Sequence, residues 1–184
     1  MMRVITGSAR GRRLETLPGE DVTRPTTESV KEALFSMIQF DIEGRRVLDL
    51  FAGSGQLGIE ALSRGARSCT FVENNRAAKQ VAERNLAHCR LEEQANVVFS
   101  DALSFLNRSG TYDLVLLDPP YGKGILQRVL PALVPRLSDD AMVVCESGRD
   151  EELPAQVGSF VLDRERRHGK TKIALYLRGK DLAE

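Results

Sequence analysis

From residue 46 onward, short apolar runs alternate with longer amphipathic stretches along the chain. The apolar runs occupy residues 47–51, 69–72, 97–99, 112–117 and 141–145. Amphipathic helical patterns occupy residues 55–64, 75–90 and 124–137, and two more strand-like runs follow at 159–165 and 171–178. Strands that alternate with helices predict a parallel sheet with helices on both faces. The two last runs flank a basic turn and predict a closing antiparallel pair.

The beginning of the chain has a different pattern. Residues 3–17 alternate in part between apolar and polar positions and contain two glycines, which predicts a short hairpin or an extended arm. After Arg24-Pro25-Thr26, apolar residues recur at helical offsets, at Val30, Ala33, Leu34, Met37 and Ile38. This spacing predicts a one-sided amphipathic helix with Thr26 or Thr27 as its cap. We divide the chain into a basic N-terminal arm, residues 1–24, and one globular domain, residues 25–184.

Composition narrows the classes of protein. The chain has 184 residues, of which 26 are Lys or Arg and 26 are Asp or Glu, so the formal net charge is zero. Contact with nucleic acid would therefore need local basic patches. Cys69, Cys89 and Cys145 are an odd, widely spaced set, which argues against a disulfide framework and against a zinc site. No apolar run approaches the roughly 20 residues of a membrane helix, and the polar, basic start is unlike a secretory signal. We expect a cytoplasmic protein without a metal or membrane contact.

A glycine-rich segment follows the first strand of the alternating part and opens a helix. Gly53, Gly55 and Gly58 match the pattern GxGxxG, which is a weak signal by itself. Glycines let the backbone turn sharply and approach a ligand, while the N–H groups of the helix face that ligand. Glu73 ends the next strand, where an acid can accept hydrogen bonds from both hydroxyls of a ribose. To this point a nicotinamide dinucleotide and S-adenosylmethionine fit equally well.

Asp49 distinguishes the two cofactors. It ends the strand four residues before Gly53, where its charge would repel a pyrophosphate but would suit the ammonium and sulfonium groups of S-adenosylmethionine. A third acid, Asp101, follows the third strand where the adenine would lie, in a pocket edged by Ala102. The predicted cofactor-binding residues are Asp49, Ala52, Gly53, Ser54, Gly55, Glu73, Asn74, Asp101 and Ala102.

A second motif, Asp118-Pro119-Pro120-Tyr121, ends the fourth strand. Two prolines after a buried strand fix a stiff loop, so the Asp118 carboxylate and the Pro119 carbonyl can point into one site. An exocyclic amine on a base ring is a poor nucleophile because its lone pair is delocalised. Two acceptors on its N–H groups would draw the nitrogen toward tetrahedral geometry, and Tyr121 offers a face on which the base can stack. We predict these four residues as the catalytic group; a strand-ending turn with a packed tyrosine is the alternative.

These motifs, taken together, resemble a known family. DLFAGSGQLGIEALSRGA, FVE and LDPPY, in this order, resemble class I methyltransferases of the (D/N)PPY subgroup. RVITGSARGRRL and RPTTESVKEALFSMI resemble the bacterial 16S ribosomal RNA guanine-N2 methyltransferases of the D type, over nearly the whole chain. The resemblance implies a Rossmann-like α/β sheet of seven strands, mostly parallel with an antiparallel last strand. It also implies S-adenosylmethionine as the donor, and one guanine of 16S ribosomal RNA in small-subunit particles as the target. Gln56 stands where family members often carry Ala or Thr.

Basic residues cluster at the N-terminus and in the last predicted turn. The first 13 residues carry four arginines and no acid, and residues 164–172 carry five Lys or Arg beside one acid. Such patches can bind RNA phosphates, or they can be a solvated edge and a solvated turn. The predicted RNA-binding residues are Arg3, Arg10, Arg12, Arg13, Lys123, Arg166, Arg167 and Lys170. Arg24 is expected to face the cofactor pocket.

Three other functions remain open from the residues alone. A DNA adenine-N6 methyltransferase would use the same Asp118–Tyr121 motif, but it would normally need a further domain to read sequence. A nicotinamide-dependent oxidoreductase is suggested by GxGxxG and disfavoured by Asp49. A non-catalytic binding module is disfavoured by the intact motif. The favoured interpretation is a monomeric, S-adenosylmethionine-dependent ribosomal RNA methyltransferase.

Overall fold

The computed structural model describes residues 2–18 and 28–180 of the chain. Its strands are β1 (Met2–Arg3), β2 (Arg13–Leu14), β3 (Arg46–Asp49), β4 (Ser68–Glu73), β5 (Ala95–Phe99), β6 (Tyr112–Leu117), β7 (Leu137–Gly148), β8 (Gln156–Val157), β9 (Phe160–His168) and β10 (Thr171–Arg178). Its α-helices are α1 (Glu28–Ile38), α2 (Gln56–Ser63), α3 (Arg76–Cys89), α4 (Ala102–Leu106) and α5 (Ile125–Leu133). Short 3₁₀ turns lie at Glu92–Gln94 and Val134–Arg136. The predicted helix cap, Thr26 or Thr27, lies outside the described residues.

The central sheet has the strand order β5-β4-β3-β6-β7-β10-β9-β8 within the described ranges. Strands β3 to β7 run parallel to one another, and the last strand, β10, pairs antiparallel with both β7 and β9. The expected mostly parallel α/β sheet with an antiparallel last strand is therefore confirmed. It carries one strand more than the expected seven, because residues 156–157 pair with the edge strand β9.

The helices cover both faces of this sheet. Helices α1, α2 and α3 contribute to one apolar cluster with residues such as Val47 and Leu116. Helices α4 and α5 contribute to a second cluster with the alternate strand residues, such as Leu48 and Leu117. Because successive side chains of a strand point to opposite faces, one run of apolar residues supplies both clusters.

The glycine loop joins β3 to α2 by a sharp turn. Gly55 is the N-cap of α2 and has a φ of 85°, a left-handed conformation that favours glycine. At Gly58 a Cβ would lie 2.3 Å from the Phe71 ring, so only glycine lets this first turn of α2 approach β4 so closely. The pattern GxGxxG thus has two structural causes, a left-handed turn and a close contact between helix and sheet.

The N-terminal arm is a small hairpin that a buried ion pair attaches to the domain. Strands β1 and β2 pair antiparallel, as expected for a hairpin. The Glu60 carboxylate on α2 accepts hydrogen bonds from the backbone N–H groups of Ile5 and Thr6, at 2.9 and 3.0 Å. Lys31 Nζ on α1 lies 3.4 Å from the same carboxylate, and both side chains are fully buried. Burial lowers the pKa of Lys31, although the charge of Glu60 opposes this shift.

Candidate active site

A cavity of about 410 Å³ opens at the carboxyl ends of the parallel strands, where ligands of such sheets bind. Its wall includes Leu17 of the arm, Phe51 and Gly53 of the glycine loop, Glu73 at the end of β4, Ala102 at the start of α4 and Pro120 of the predicted catalytic motif. The fold therefore brings together motifs that lie up to about a hundred residues apart in the sequence.

Asp49 lies at the end of β3, directly before two residues of the cavity wall, and is 1% exposed. Its Oδ2 accepts a hydrogen bond from the Gly58 N–H at 3.0 Å. Its Oδ1 has no hydrogen-bond partner among residues 2–18 and 28–180. Burial raises the pKa of Asp49 to about 7; the Gly58 hydrogen bond opposes this shift and the charge of Glu73 adds to it. A buried carboxylate oxygen without a partner suits a cationic group, because such a group would compensate its charge.

Glu73 forms part of the cavity wall and connects the glycine loop to α3. Its Oε2 accepts the Gly53 N–H at 2.7 Å, and its Oε1 accepts the Asn75 N–H at 2.8 Å. An ionised carboxylate offers about four lone-pair sites, so both oxygens can accept a further hydrogen bond. The geometry thus leaves Glu73 able to receive ribose hydroxyls.

The predicted cofactor residues differ in how directly they reach the cavity. Gly53, Glu73, Asn74 and Ala102 line it, whereas Asp49, Ala52, Ser54, Gly55 and Asp101 belong to the adjoining segments. Asp101 is exposed and caps α4, because its Oδ1 accepts the Ser104 N–H at 3.0 Å. Hydrogen bonds from Ser104 hold the pKa of Asp101 below its ordinary value.

The predicted catalytic motif, residues 118–121, follows β6 and turns back against β7 and β10. Asp118 and Pro119 are buried, while Pro120 reaches the cavity wall. The Tyr121 hydroxyl donates a hydrogen bond to Glu146 Oε1 on β7 at 2.6 Å and lies 3.4 Å from Thr171 Oγ1 on β10. Burial and the adjacent Glu146 carboxylate raise the pKa of Tyr121. The hydroxyl end of the ring is thereby anchored in the sheet.

Sequence reasoning missed Glu146 and Thr171, which anchor this ring. Glu146 is fully buried and follows a run of apolar residues on β7. An acid that directly continues the apolar run 141–145 is the signal that could have revealed it, because a buried carboxylate needs hydrogen-bond donors. Its partner could not be read from the sequence, since it depends on the pairing of β7 with β10.

The predicted RNA-binding residues do not form one patch. Arg10, Arg13 and Lys123 are exposed, whereas Arg3 pairs with Glu28 at 3.1 Å and Arg12 Nη1 donates to the His88 carbonyl at 2.8 Å.

In the β9–β10 hairpin, Arg166 pairs with Ile173 and Arg167 with Lys172. Because adjacent strand positions point to opposite faces, these two arginines lie on different sides of the sheet, while Lys170 is exposed in the turn. The hairpin therefore presents charge to two directions. Arg24 lies outside the described residues.

In the described part of the chain, no group of three or more His, Cys, Asp or Glu side chains is arranged to hold a metal ion. No helix between residues 2 and 18 or 28 and 180 is both long and apolar enough to cross a bilayer. Cys69, Cys89 and Cys145 are buried free thiols.

The chain matches one family model and has close relatives. The family model described as "Conserved hypothetical protein 95" matches residues 2–177. The chain is 42% identical over 181 residues to "Putative rRNA methyltransferase YlbH" of Bacillus subtilis, covering 95% of this chain and 98% of that protein. It is 39% identical over 180 residues to "Ribosomal RNA small subunit methyltransferase D" of Escherichia coli, covering 96% and 90%. Among solved structures, "Putative methyltransferase yhhF" from Escherichia coli superposes with a TM-score of 0.86 at 38% identity, covering 96% and 97%.

Proposed function

The chain belongs to the family described as "Conserved hypothetical protein 95", and from this premise we propose that it methylates the exocyclic N2 amine of a guanine in 16S ribosomal RNA. Its fold is that of class I methyltransferases, and its resemblance to the small-subunit ribosomal RNA methyltransferases D is borne out by a relative of that name. The methyl donor is S-adenosylmethionine. We propose that the protein acts as a cytoplasmic monomer on the small subunit or on an assembly intermediate, with residues 1–24 as a basic arm on the catalytic domain, residues 25–184.

One observation carries this proposal: the catalytic motif and the donor-site motifs share one cavity. Pro120 lines the same cavity as Gly53 and Glu73, so a substrate held at the motif would lie beside a donor held at the loop. A nicotinamide dinucleotide fits less well, because the buried Asp49 adjoins the place where its pyrophosphate would lie.

The residues of the chain divide the work of holding the donor. We assign Asp49 to the cationic amino-acid end, Glu73 to the ribose and Asp101 to the adenine. The loop residues Ala52, Gly53, Ser54 and Gly55, together with Asn74 and Ala102, would shape the rest of the site. When bound, S-adenosylmethionine supplies a methyl group on a positively charged sulfur.

The catalytic motif acts on the acceptor amine. The Asp118 carboxylate and the Pro119 carbonyl each accept one N–H, which directs the nitrogen lone pair out of the plane of the base. Asp118 then takes the proton that the amine loses. Tyr121 stacks on the base, a contact worth roughly 1–3 kcal/mol, and its anchored hydroxyl fixes the plane of the ring. Positioned acceptors of this kind contribute about 10²–10⁴-fold in rate.

The RNA would be held by separate groups of charges. The exposed Arg10 and Arg13 of the arm, with Arg3 and Arg12 beside them, would contact phosphates on one side of the molecule. Lys123 directly follows the catalytic motif, and Arg166, Arg167 and Lys170 lie on the β9–β10 hairpin. Phosphate contacts set the position of the RNA and carry no base information directly, so the choice of the base falls to the catalytic pocket.

The function is tested by identifying the methylated nucleotide. The protein is incubated with labelled S-adenosylmethionine and, in parallel, unmodified small-subunit particles, naked 16S ribosomal RNA and duplex DNA, and the products are digested and mapped by mass. We expect one N2-methylguanine in the RNA and none in the DNA. N6-methyladenine in the DNA would replace the proposal with the DNA-modifying alternative, and no transfer to any acceptor would overturn it.

A double-mutant cycle tests whether Glu146 positions the ring of Tyr121. We expect Tyr121→Phe and Glu146→Leu, which removes the acceptor, each to lower kcat/KM for RNA by about three- to tenfold, which corresponds to the loss of one hydrogen bond. The double variant should be no worse than either single one, because both changes remove the same contact. The readouts are kcat/KM for RNA and the Kd of S-adenosylhomocysteine, which should not change.

Tyr176→Phe is the matched control for this cycle. It removes the hydroxyl of another buried tyrosine in the same sheet, one that donates to the Pro154 carbonyl at 2.7 Å. Its kcat/KM should equal that of the wild type. Losses that simply add in the double variant would show that Tyr121 and Glu146 act independently.

A further inference from the structure

Helix α3 carries a buried amide on the face that it turns toward the glycine loop. Ala78 of this face lines the cavity, and the Cβ of Ala82 lies within 3.3 Å of the position that a Cβ on Gly55 would occupy. Asn85 is 3 residues further along the same face, which is one helical turn. It is 2% exposed. A polar side chain in this place is costly unless its hydrogen bonds are made.

Asn85 makes three hydrogen bonds to two backbone segments. Its Oδ1 accepts the Glu15 N–H at 2.8 Å, and its Nδ2 donates to the Glu15 carbonyl at 3.0 Å. The other N–H of Nδ2 donates to the Ser54 carbonyl at 2.9 Å. The side-chain amide of Asn85 thus pairs with both backbone groups of Glu15, as a peptide of a neighbouring strand would. It also binds the glycine loop at the Ser54 carbonyl.

These contacts place a segment of the arm on the donor cavity. Leu17 is only two residues beyond Glu15 and forms part of the cavity wall. Part of the cavity wall is therefore built by the arm, and the side chain of Asn85 joins this part of the wall to Ser54 in the glycine loop.

The rest of the arm has attachments of its own. Ile5 and Thr6 bind Glu60, and the Ala9 N–H donates to Ser63 Oγ at 2.9 Å. Loss of the Asn85 amide would therefore leave the hairpin on the domain and would loosen only the segment that follows it, residues 15–17. This separates a local role of Asn85 from a general role in folding.

We propose that Asn85 is a positioning residue that holds residues 15–17 of the arm as a wall of the donor site and joins that wall to the glycine loop. The proposal rests on the proposed function, since the cavity is assigned to S-adenosylmethionine there. We assign Asn85 itself no contact with the donor or with the RNA. It acts through Leu17 and through the Ser54 carbonyl.

The test compares Asn85→Ala and Leu17→Ala with Arg84→Gln as the matched control. Arg84 precedes Asn85 on α3 and contacts the side chain of Glu15 in an exposed ion pair of 3.0 Å, so its substitution removes a contact to the same arm residue without disturbing the buried amide. The Kd of S-adenosylhomocysteine is measured by calorimetry, and kcat and the KM for RNA are measured at saturating donor.

We expect Asn85→Ala to raise the Kd of S-adenosylhomocysteine by about tenfold or more, as the loss of several buried hydrogen bonds implies. The kcat at saturating donor and the KM for RNA should stay close to the wild-type values. Leu17→Ala should also raise the Kd of this ligand. The Kd of the double variant should be no higher than that of Asn85→Ala, because both changes act through one segment. Arg84→Gln should bind the ligand as the wild type does.

Three results would overturn the proposal about Asn85 and leave the proposed function standing. Wild-type affinity in Asn85→Ala would show that the amide does not support the donor site. Additive losses in the double variant would separate Asn85 from Leu17. If Asn85→Ala does not fold, wild-type affinity in Leu17→Ala has the same force, since the wall would then contribute nothing. Failure of the wild-type protein to bind S-adenosylhomocysteine would instead refute the proposed function, and this inference with it.

Discussion

Asp118→Asn is expected to lower kcat by about 10²–10⁴-fold while the Kd of S-adenosylhomocysteine stays close to that of the wild type. The carboxylate is buried at the end of β6 and belongs to the rigid loop that reaches the cavity at Pro120. An amide in its place turns one acceptor into a donor that faces the N–H of the target amine, and it cannot take the proton. The change therefore affects the acceptor side of the reaction only. Single-turnover methylation of RNA and calorimetry with S-adenosylhomocysteine measure the two quantities.

Asp113→Asn provides a control on the same strand. Asp113 also belongs to β6, but it lies at the other end of the strand from the motif. Its Oδ1 is 2.9 Å from Arg46 Nη2, in a salt bridge. The hydrogen bond from Arg46 holds the pKa of Asp113 well below its usual range. We expect Asp113→Asn to lower the Tm and to leave kcat unchanged. If Asp118→Asn weakens S-adenosylhomocysteine as strongly as it lowers kcat, Asp118 belongs to the donor site and the assignment of the amine is wrong.

The order of the elements could be predicted because apolar periodicity is a local property. The run at 112–117 coincides with β6, and the helical pattern at 75–90 differs from α3 by one residue at each end. The short elements α4 and β8, of five and two residues, were not predicted, because neither is long enough to show a period. Pairing of β8 with the edge of the sheet depends on distant residues, and this accounts for the additional strand.

The candidate site divides in the same way. Residues within short motifs could be found, since Asp49, Glu73 and Pro120 occupy positions that chain geometry alone brings to one end of the sheet. The supporting residues Asn85 and Glu146 could not be assigned, because their partners are 70 and 25 residues away in the chain. The split of the basic hairpin was missed because the predicted strand ended at residue 165 and left Arg166 and Arg167 in the turn, whereas β9 continues to His168.

Asp49→Asn is expected to weaken S-adenosylmethionine by about tenfold or more at pH 8, since it removes the charge assigned to the cationic end of the donor. In the wild type the affinity should also depend on pH. Burial raises the pKa of Asp49 to about 7, so below that pH the free protein carries a proton that donor binding must release. The Kd of the wild type should rise by up to about tenfold for each pH unit below 7. In Asp49→Asn this dependence should disappear.

The raised pKa of Asp49 affects stability in the opposite direction from donor affinity: affinity increases as pH rises, whereas the free energy of unfolding decreases. An aspartate in the unfolded chain titrates near 3.8, whereas Asp49 in the folded protein titrates near 7. Between these values the folded state binds the extra proton, so the free energy of unfolding falls as pH rises through this window. The asparagine of Asp49→Asn does not titrate, so the variant does not lose this part of its stability as pH rises. Without donor its Tm should exceed that of the wild type at pH 8, by about 2–4 °C for each kcal/mol relieved, and the difference should shrink toward pH 4.

Asp41→Asn separates this effect from a general loss of charge. Asp41 is exposed and follows α1. Asp41→Asn should keep the wild-type pH dependence of the Kd, and its Tm at pH 8 should equal that of the wild type. A variant Asp49→Asn that binds S-adenosylmethionine with the wild-type pH profile would show that another group releases the proton. The test is stringent because the substitution Asp49→Asn should raise the Tm of the free protein and at the same time lower its affinity for S-adenosylmethionine. A residue that only supports the fold would lose stability and affinity together.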